Sequence, residues 1–503
     1  MSQPAPSIDQ LLDEAAHAFG QGRLDVAGEC LQQVLDQDPS HFDALHISGV
    51  LEYQRGNHER AVTLIQRALE VHSGFAEAHY NLGKVLQASH RFPEAASAYQ
   101  KAIELNPALD PAWFNLGLVQ MELHRPQEAL TAFRRAVEME PGDPVYAFNL
   151  GTCLMDLKNW TAAGDAFERV VAAAPENFQA WNNLGIVLKE VGETGGSQEA
   201  YRRALAIEPR FADAHFNLGN LYEQEGELQS ALGSYKQAID LAPRFAKALN
   251  NRGNVHYLLK QYDEARRDYE QTLQLDPANE SARHMLDALN GVTTATAPPD
   301  YVRRLFDKAA PEFESRLVDA LGYRSPQELR ALFDPLTPAD LRLEKAVDLG
   351  CGTGLSGEVF RDRVRHLSGV DLSANMVALA RQKHVYDALE TGDLLGFLEQ
   401  SAEHFDLFLA TDVLVYLGDL RPLFDAVNRQ AASAAWFLFS VERSGEADFC
   451  LRPTGRYGHS RDYLLALADE FGWEVAALED TVIRTENDVP IPGYNVVLKK
   501  MGD

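Results

Sequence analysis

Cysteine is scarce: four residues in 503, Cys30, Cys153, Cys351 and Cys450, with no CxxC pair among them. That usage supports neither a disulfide framework nor the paired thiolates of a structural zinc, no metal site is expected, and a reducing compartment fits best. Positive charge is also short, with 46 Lys and Arg against 74 Asp and Glu, a net −28 shared by both halves of the chain. Such a surface repels phosphate backbones and anionic lipid, so neither nucleic acid nor a membrane surface is an expected partner. No run of 18 apolar residues occurs, and the start, MSQPAPSIDQ, has neither a basic nor an apolar stretch. Neither a spanning helix nor a secretory signal is therefore expected, and the chain reads as cytoplasmic. What remains is the balance of an ordinary folded protein, 46% hydrophobic and 24% charged, long enough for three domains or an array plus one domain.

An array is present. The pair Leu82-Gly83 returns as Leu116-Gly117, Leu150-Gly151, Leu184-Gly185 and Leu218-Gly219, every 34 residues. Small residues keep the phase at Ala61, Ala95, Ala129, Ala163, Ala231 and Ala265, and aromatics at Tyr99, Phe133, Phe167, Tyr201, Tyr235 and Tyr269. A proline closes most units (Pro39, Pro107, Pro141, Pro175, Pro209, Pro243 and Pro277), where its ring ends the second helix. The pattern resembles the tetratricopeptide repeat, eight units of paired helices, with residues 280–290 as a capping helix and 8–290 as the array. Unit one is degenerate, with Ala15 in place of glycine. In unit five Gly195-Gly196-Ser197 displaces the usual helix start, which predicts a looser turn. One polar column, Asn81, Asn115, Asn149, Asn183, Asn217 and Asn251, forms a line at constant phase. It resembles the asparagine ladder in the tetratricopeptide arm of O-linked GlcNAc transferase, which implies peptide binding through a groove. The alternative is that asparagine is simply common at this phase of the repeat.

The phase stops after Asn290. GVTTATAPPD, 291–300, reads as a linker, and 301–503 as a second domain that opens with two amphipathic helical patterns. Short apolar runs then alternate with helical stretches, with strands predicted near 346–349, 367–371, 387–390, 407–411, 436–440, 474–478 and 494–498. The first ends in VDLGCGTG, whose Gly350, Gly352 and Gly354 make a tight turn into a helix. Asp371 ends the second, 23 residues after Asp348, where a carboxylate accepts ribose hydroxyls, and Asp393 follows the third. The ordered set resembles the class I S-adenosylmethionine-dependent methyltransferases. That resemblance implies an α/β Rossmann-like domain with a seven-stranded sheet, its last strand (YNVVLKK) antiparallel, and S-adenosyl-L-methionine as cofactor. It places Asp348, Gly350, Cys351 and Gly352 at the methionine end with Gly354 and Thr411, Asp371 and Leu372 at the ribose, and Asp393 with Leu394 at the adenine. LFDKAAPEF, LVDALGYRSP, GRYGHSRDYLLALADEFGW and IPGYNVVL also look like a bacterial group of predicted methyltransferases with such repeats. One departure is Ala309-Ala310, where an aromatic over the cofactor is expected. Gly352, Gly354 and Gly357 also satisfy GxGxxG, so a nicotinamide dehydrogenase is the competing reading. An acidic residue opening the loop has no role in pyrophosphate binding.

Methyl transfer from a sulfonium is an in-line displacement, so alignment supplies most of the catalysis. Asp412, Val413 and Tyr416 follow the fourth strand and are expected to face the methyl group; Arg456, Tyr457 and His459 lie in the loop after the fifth. His459 is the general-base candidate, unless it merely caps the helix that starts near Ser460. Arg484 is read as a ligand for an acidic substrate group or as a surface ion pair. No NPPY-like run marks methylation of an exocyclic amine. The function expected is a methyltransferase whose repeat arm recruits a protein or peptide substrate. The alternatives are a small-molecule acceptor with the repeats binding a partner protein, and an adaptor without activity.

Overall fold

The computed structural model describes residues 6–310, 313–315, 317, 321–445, 447–486 and 489–501. The segments LFDKAAPEF and LVDALGYRSP therefore lie partly outside the described residues. The chain divides into two compact units, one ending at Pro243 and the other starting at Arg244.

The first unit is a run of seven helix pairs, from Ile8–Gly20 with Leu24–Gln37 to Ala212–Gln224 with Leu228–Leu241. Each turn within a pair has one residue at positive φ, at Gly22, Gly56, His90, His124, Lys158, Gly192 and Gly226, again 34 residues apart. The glycine and aromatic columns prove to be two halves of one contact. A methyl group at Gly83 would stand 2.6 Å from the Tyr99 ring, at Gly117 2.5 Å from Phe133, and at Gly185 2.6 Å from Tyr201. Each aromatic lies flat on the bare backbone of its partner helix, and any side chain there would push the helices apart. Unit one obeys the same rule with other residues, since Ala15 faces a core that contains aliphatic Leu31 at the aromatic position.

The looser turn expected at Gly195-Gly196-Ser197 is absent. The helix Thr194–Ile207 starts on schedule, because Ser197 takes the small-residue position and its buried Oγ donates to Gly185 O at 2.7 Å.

The second unit begins with an eighth pair, Ala246–Leu258 and Tyr262–Leu275, and the helix Glu280–Asn290, ended by Gly291 at φ 70°. Residues 291–300, read as a linker, are stitched to the α/β part. Ala297 N donates to Tyr416 O (2.9 Å), Gly418 N to Ala295 O (2.9 Å), and Thr294 Oγ1 pairs with Tyr457 OH (2.5 Å). The helices Pro299–Ala309 and Ser325–Phe333 precede the sheet.

The strands are β1 Leu343–Leu349, β2 Val364–Asp371, β3 Ala388–Thr391, β4 Phe405–Ala410, β5 Ala431–Arg443, β6 Phe449–Leu451, β7 Tyr457–His459, β8 Trp473–Glu486 and β9 Val489–Lys500. The order β3-β2-β1-β4-β5 is parallel, and β9, paired to β8, runs antiparallel to β5. Beyond the seven expected strands, the short hairpin β6–β7 pairs with the end of β5 at Glu442 and Arg443. The segment holding Tyr457 and His459 is therefore a strand, not a loop. Because the order reverses beside β1, the ends of β1, β2 and β4 open a crevice at one edge of the sheet.

Two glycines should respond in opposite directions to the same change. Gly117→Ala forces a methyl into the Phe133 ring and should destabilise by about 1–3 kcal/mol. Gly233→Ala meets nothing within 4 Å in the interior of the helix Leu228–Leu241 and should stabilise by up to about 1 kcal/mol. Urea unfolding of the full chain by circular dichroism reads the sign of each.

Candidate functional site

The crevice is floored by the loop after β1. Gly350, Gly352 and Gly354 have φ of 74°, 51° and 96°, a left-handed run that other residues rarely adopt. A methyl group at Gly350 would stand 2.4 Å from Val413 Cγ2, so the side chain of Val413, after β4, packs on the bare backbone of the loop. Gly350 N and Cys351 N both donate to Val370 O, at 2.9 and 3.0 Å. Burial pushes the Cys351 thiol well up, so it stays protonated.

Asp371 locks this loop to β2. Its Oδ2 accepts from Gly352 N (2.9 Å) and its Oδ1 from Ser373 N (2.8 Å). Burial raises its pKa against the pull of those two donors, helped by the charge of Asp307, whose Oδ1 accepts from Ser373 Oγ at 2.6 Å. Asp348 is fully buried. Its Oδ2 accepts from Tyr386 OH at 2.6 Å, while Oδ1 is without a hydrogen-bond partner among the described residues. Burial, opposed by that hydrogen bond and reinforced by Asp371, pushes its pKa up to about 7.

Tyr386 was not among the sequence candidates, because a lone tyrosine before the third strand matches no motif. It nevertheless explains the third glycine of GxGxxG: a methyl group at Gly357 would stand 2.5 Å from the Tyr386 hydroxyl. That glycine makes room for the partner of Asp348.

The other cofactor candidates surround the same crevice. Asp393 is exposed and caps the helix Leu394–Gln400, its Oδ2 accepting from Gly396 N at 2.9 Å, with Leu394 buried behind it. Thr411 Oγ1 pairs with Ser356 Oγ at 2.6 Å, and Leu372 packs beside the core that includes Tyr416. The aromatic missing at Ala309-Ala310 is supplied nearby: Phe313 lies 3.9 Å from where a methyl group on Gly352 would be, and its ring meets Phe306, which meets Tyr416.

Of the residues expected to do chemistry, the structure withdraws two. His459 is fully buried on β7, donates Nε2 to Gly418 O at 3.0 Å and stacks on Tyr463, and burial drives its pKa down to about 4. It is a neutral structural imidazole, neither a base nor a cap; Ser460 Oγ caps the helix Arg461–Glu470. Tyr457 is likewise fully buried with its hydroxyl held by Thr294. Asp412, at φ 52°, stands at the site, but its Oδ1 is held by Arg484 Nη1 at 2.5 Å. Tyr416 is buried in the turn Leu414–Tyr416. Arg484, 3% exposed, is no surface ion pair: it bonds Asp412, Glu442 and Glu486. Sequence reasoning missed Glu442 and Glu486.

The asparagine column is half-buried throughout. Asn81 Nδ2 meets His46 Nε2 (3.0 Å), Asn115 Nδ2 donates to Tyr80 OH (3.3 Å) and Asn217 Nδ2 to Asn182 Oδ1 (3.0 Å), each 35 residues back in the preceding repeat. Asn149 instead donates to Val145 O of its own helix, and Asn183 and Asn251 accept from Asn182 and Asn250. Part of the hydrogen-bonding capacity read as available to a peptide is thus spent between repeats. No cluster of metal-ligating side chains and no helix long and apolar enough to cross a membrane occur among the described residues.

The buried His459 gives a sign for pH. Between its folded pKa of about 4 and the ordinary value near 6.5, the unfolded chain takes up a proton that the folded chain refuses. Its contribution is therefore complete above pH 6.5 and is lost as pH falls toward 4, on the order of 3 kcal/mol at most. His459→Gln, which can still donate to Gly418 O, should flatten that part of a urea-midpoint-against-pH curve.

Comparison with known proteins agrees with this geometry. Tetratricopeptide-repeat models match residues 12–74, 49–111, 80–144, 114–178 and 148–189, then 190–226, 219–260 and 246–279. A methyltransferase-domain model matches 347–439, which holds the glycine loop and Asp371 but ends before β6. A ubiquinone biosynthesis O-methyltransferase of Thiobacillus denitrificans is 27% identical over 26% of this chain and 56% of its own length. A malonyl-[acyl-carrier protein] O-methyltransferase of Erwinia billingiae is 30% identical over 20% of this chain and 39% of its own. The chain thus spans only about half the length of these curated relatives. Among solved structures, MamA (26% identity, TM-score 0.32) and YrrB, a tetratricopeptide protein with an unusual peptide-binding site (24%, 0.35), align over 33% and 37% of this chain and 97% of their own. The chain belongs to the tetratricopeptide-repeat proteins, and its array is fused to a C-terminal methyltransferase domain.

Proposed function

We propose that the protein is an S-adenosylmethionine-dependent methyltransferase whose repeat arm recruits a protein or peptide acceptor. The observation that carries the cofactor reading is the pair Asp348 and Asp371, at the ends of adjacent strands around one glycine loop. These residues fit the cofactor's chemistry. Each oxygen of Asp371 spends one lone pair on the backbone and keeps another for a ribose hydroxyl. Asp348 Oδ1 is a buried acceptor of the kind that an ammonium group answers. Asp393 would accept from the adenine amino group, with Leu394 against the ring.

When bound, S-adenosylmethionine supplies an activated methyl carbon. The chain's part is alignment and exclusion of water. Phe313 over Gly352 and Phe306 against Tyr416 would wall the crevice, and the touching Gly350 and Val413 fix the floor on which the acceptor approaches.

Recruitment of a polypeptide rests on the coupling of an enzyme fold to a long array with one asparagine per unit at constant phase. The name of one relative, a ubiquinone biosynthesis O-methyltransferase, favours a second reading, a biosynthetic small-molecule acceptor with the repeats holding a partner.

Calorimetric titration of S-adenosylhomocysteine, with NAD as control, should give micromolar binding of the former alone; no binding would leave an adaptor. Asp371→Ala should weaken it by about 10–100-fold, the loss of a charge-assisted pair of hydrogen bonds of roughly 1.5–3 kcal/mol. Unchanged affinity would refute the ribose role. Asn149→Ala, Asn183→Ala and Asn251→Ala combined, at positions whose bonds named above stay within one helix, should raise KM for a polypeptide substrate and leave kcat as it was. Kinetics unaltered by the triple variant would remove the asparagine column from recruitment.

A further inference from the structure

On the acceptor side of the crevice, none of the three described candidates is free to take a proton: His459 and Tyr457 are buried and bonded, and Asp412 is held by Arg484. What the structure builds there is a place for a carboxylate. Arg456 Nη2 donates to both oxygens of Glu486, at 2.6 and 2.7 Å, and Arg484 Nε donates to Oε1 at 2.7 Å. Two guanidiniums thus hold one carboxylate between them, the geometry for which arginine is suited.

The groups around it differ in burial. The Glu442 side chain is 0% exposed and bonds Arg452 (2.7 Å) and Arg484, whereas Glu486, the last residue of β8, is 24% exposed. Among the described residues, Arg452, Arg456 and Arg484 face Asp412, Glu442 and Glu486. Without Glu486 the mostly buried Arg456 and Arg484 would lose the carboxylate they share, and another anion could answer them.

The clamp also has a fixed position. Asp412 adjoins Val413, which packs on the glycine loop. Gly455, next to Arg456, accepts from buried His284 Nε2 of the capping helix at 2.9 Å, and a methyl group there would stand 2.8 Å from Tyr301 OH.

We propose that the methyl acceptor is a carboxylate, held by Arg456 and Arg484 in the place that Glu486 fills, and that the product is its methyl ester. The inference rests on the methyltransferase reading above. An acceptor oxygen supplies the electron pair of the new O–CH₃ bond, the S–CH₃ bond breaks with its pair left on sulfur, and no proton is transferred. The missing base is then no defect, since a carboxylate is already ionised at neutral pH. Glu486 must leave before the acceptor enters, so it competes with it.

The test uses the full chain saturated with S-adenosylhomocysteine, titrated with glutarate and with neutral glutaramide. Glu486→Gln should tighten glutarate by about tenfold or more, Arg456→Met should abolish its binding, and glutaramide should bind none of them. Homocysteine-cofactor affinity should be the same in all three proteins, which also certifies their folding. If the wild type does not bind S-adenosylhomocysteine, the methyltransferase reading falls and this inference with it. If it binds, but glutarate affinity is equal in wild type and Glu486→Gln, the carboxylate inference alone falls. A covalent measurement separates the sources: methyl-labelled cofactor is supplied with the macromolecular or the small-molecule fraction of an extract. Label released as methanol by alkali supports the ester, on a polypeptide or a metabolite according to the fraction. Label that survives alkali overturns it.

Discussion

The buried ion pair of Arg484 and Glu442 is the constraint around which the acceptor edge of the sheet is arranged. Glu442 lies where β5 changes neighbours, between Gly458 of β7 and Gly493 of β9. Both flanking positions leave no room for a side chain: a methyl group at Gly493 would stand 2.3 Å from Val441 O, and one at Gly458 3.0 Å from Ser444 N. The carboxylate is fully buried, and among the described residues arginines answer it, from β8 and from the β6–β7 hairpin. Breaking such a pair on one side leaves an uncompensated charge and costs roughly 3–5 kcal/mol. Hairpin, central strand and edge strand are thus tied at one point, and that point adjoins Asp412 and the glycine loop.

The opposite end of the crevice handles charge differently. Among the described residues the hydrogen bonds to Asp348 and Asp371 come from a phenol and from backbone N–H groups respectively. Both carboxyls have their pKa raised by burial. These carboxylates are placed at a cost and left partly unanswered, which is what a site for hydroxyl and ammonium groups requires. The arginine-rich edge is satisfied by the chain itself, whereas at the glycine loop Asp348 Oδ1 has no partner among the described residues.

How much of this is legible in the sequence follows from distance along the chain. The repeats are legible because every unit restates the same local contact: Gly83 meets Tyr99 and Gly117 meets Phe133 at a constant offset. The glycine loop and Asp371 are legible because both sit at strand ends in a fixed order. Tyr386 is not, since its meaning depends on Gly357 and Asp348, which lie on other elements. The hairpin is not, because Phe449–Leu451 and Tyr457–His459 are each too short for alternation to register. Arg484 resembled a surface charge because its partners, Asp412 and Glu442, lie 72 and 42 residues away. His459 looked reactive on residue type alone, and only its burial shows why it is not.

The capping helix gives the fused architecture a physical reason. His284 donates to Gly455, the Tyr301 ring lies tilted against His284, and Thr293 and Thr294 bond the hairpin at Leu451 and Tyr457. A two-stranded hairpin of three-residue strands has little stability alone. Here the turn between them is held twice, by the helix that follows the last repeat and by Arg452 and Arg456 on Glu442. Arg456 owes its place to both. The capping helix therefore reaches both sides of the crevice: Arg456 through Gly455, and the Asp371 loop through Tyr301 and Asp307 of the helix Pro299–Ala309, since Asp307 accepts from Ser373 Oγ and Ser373 N donates to Asp371.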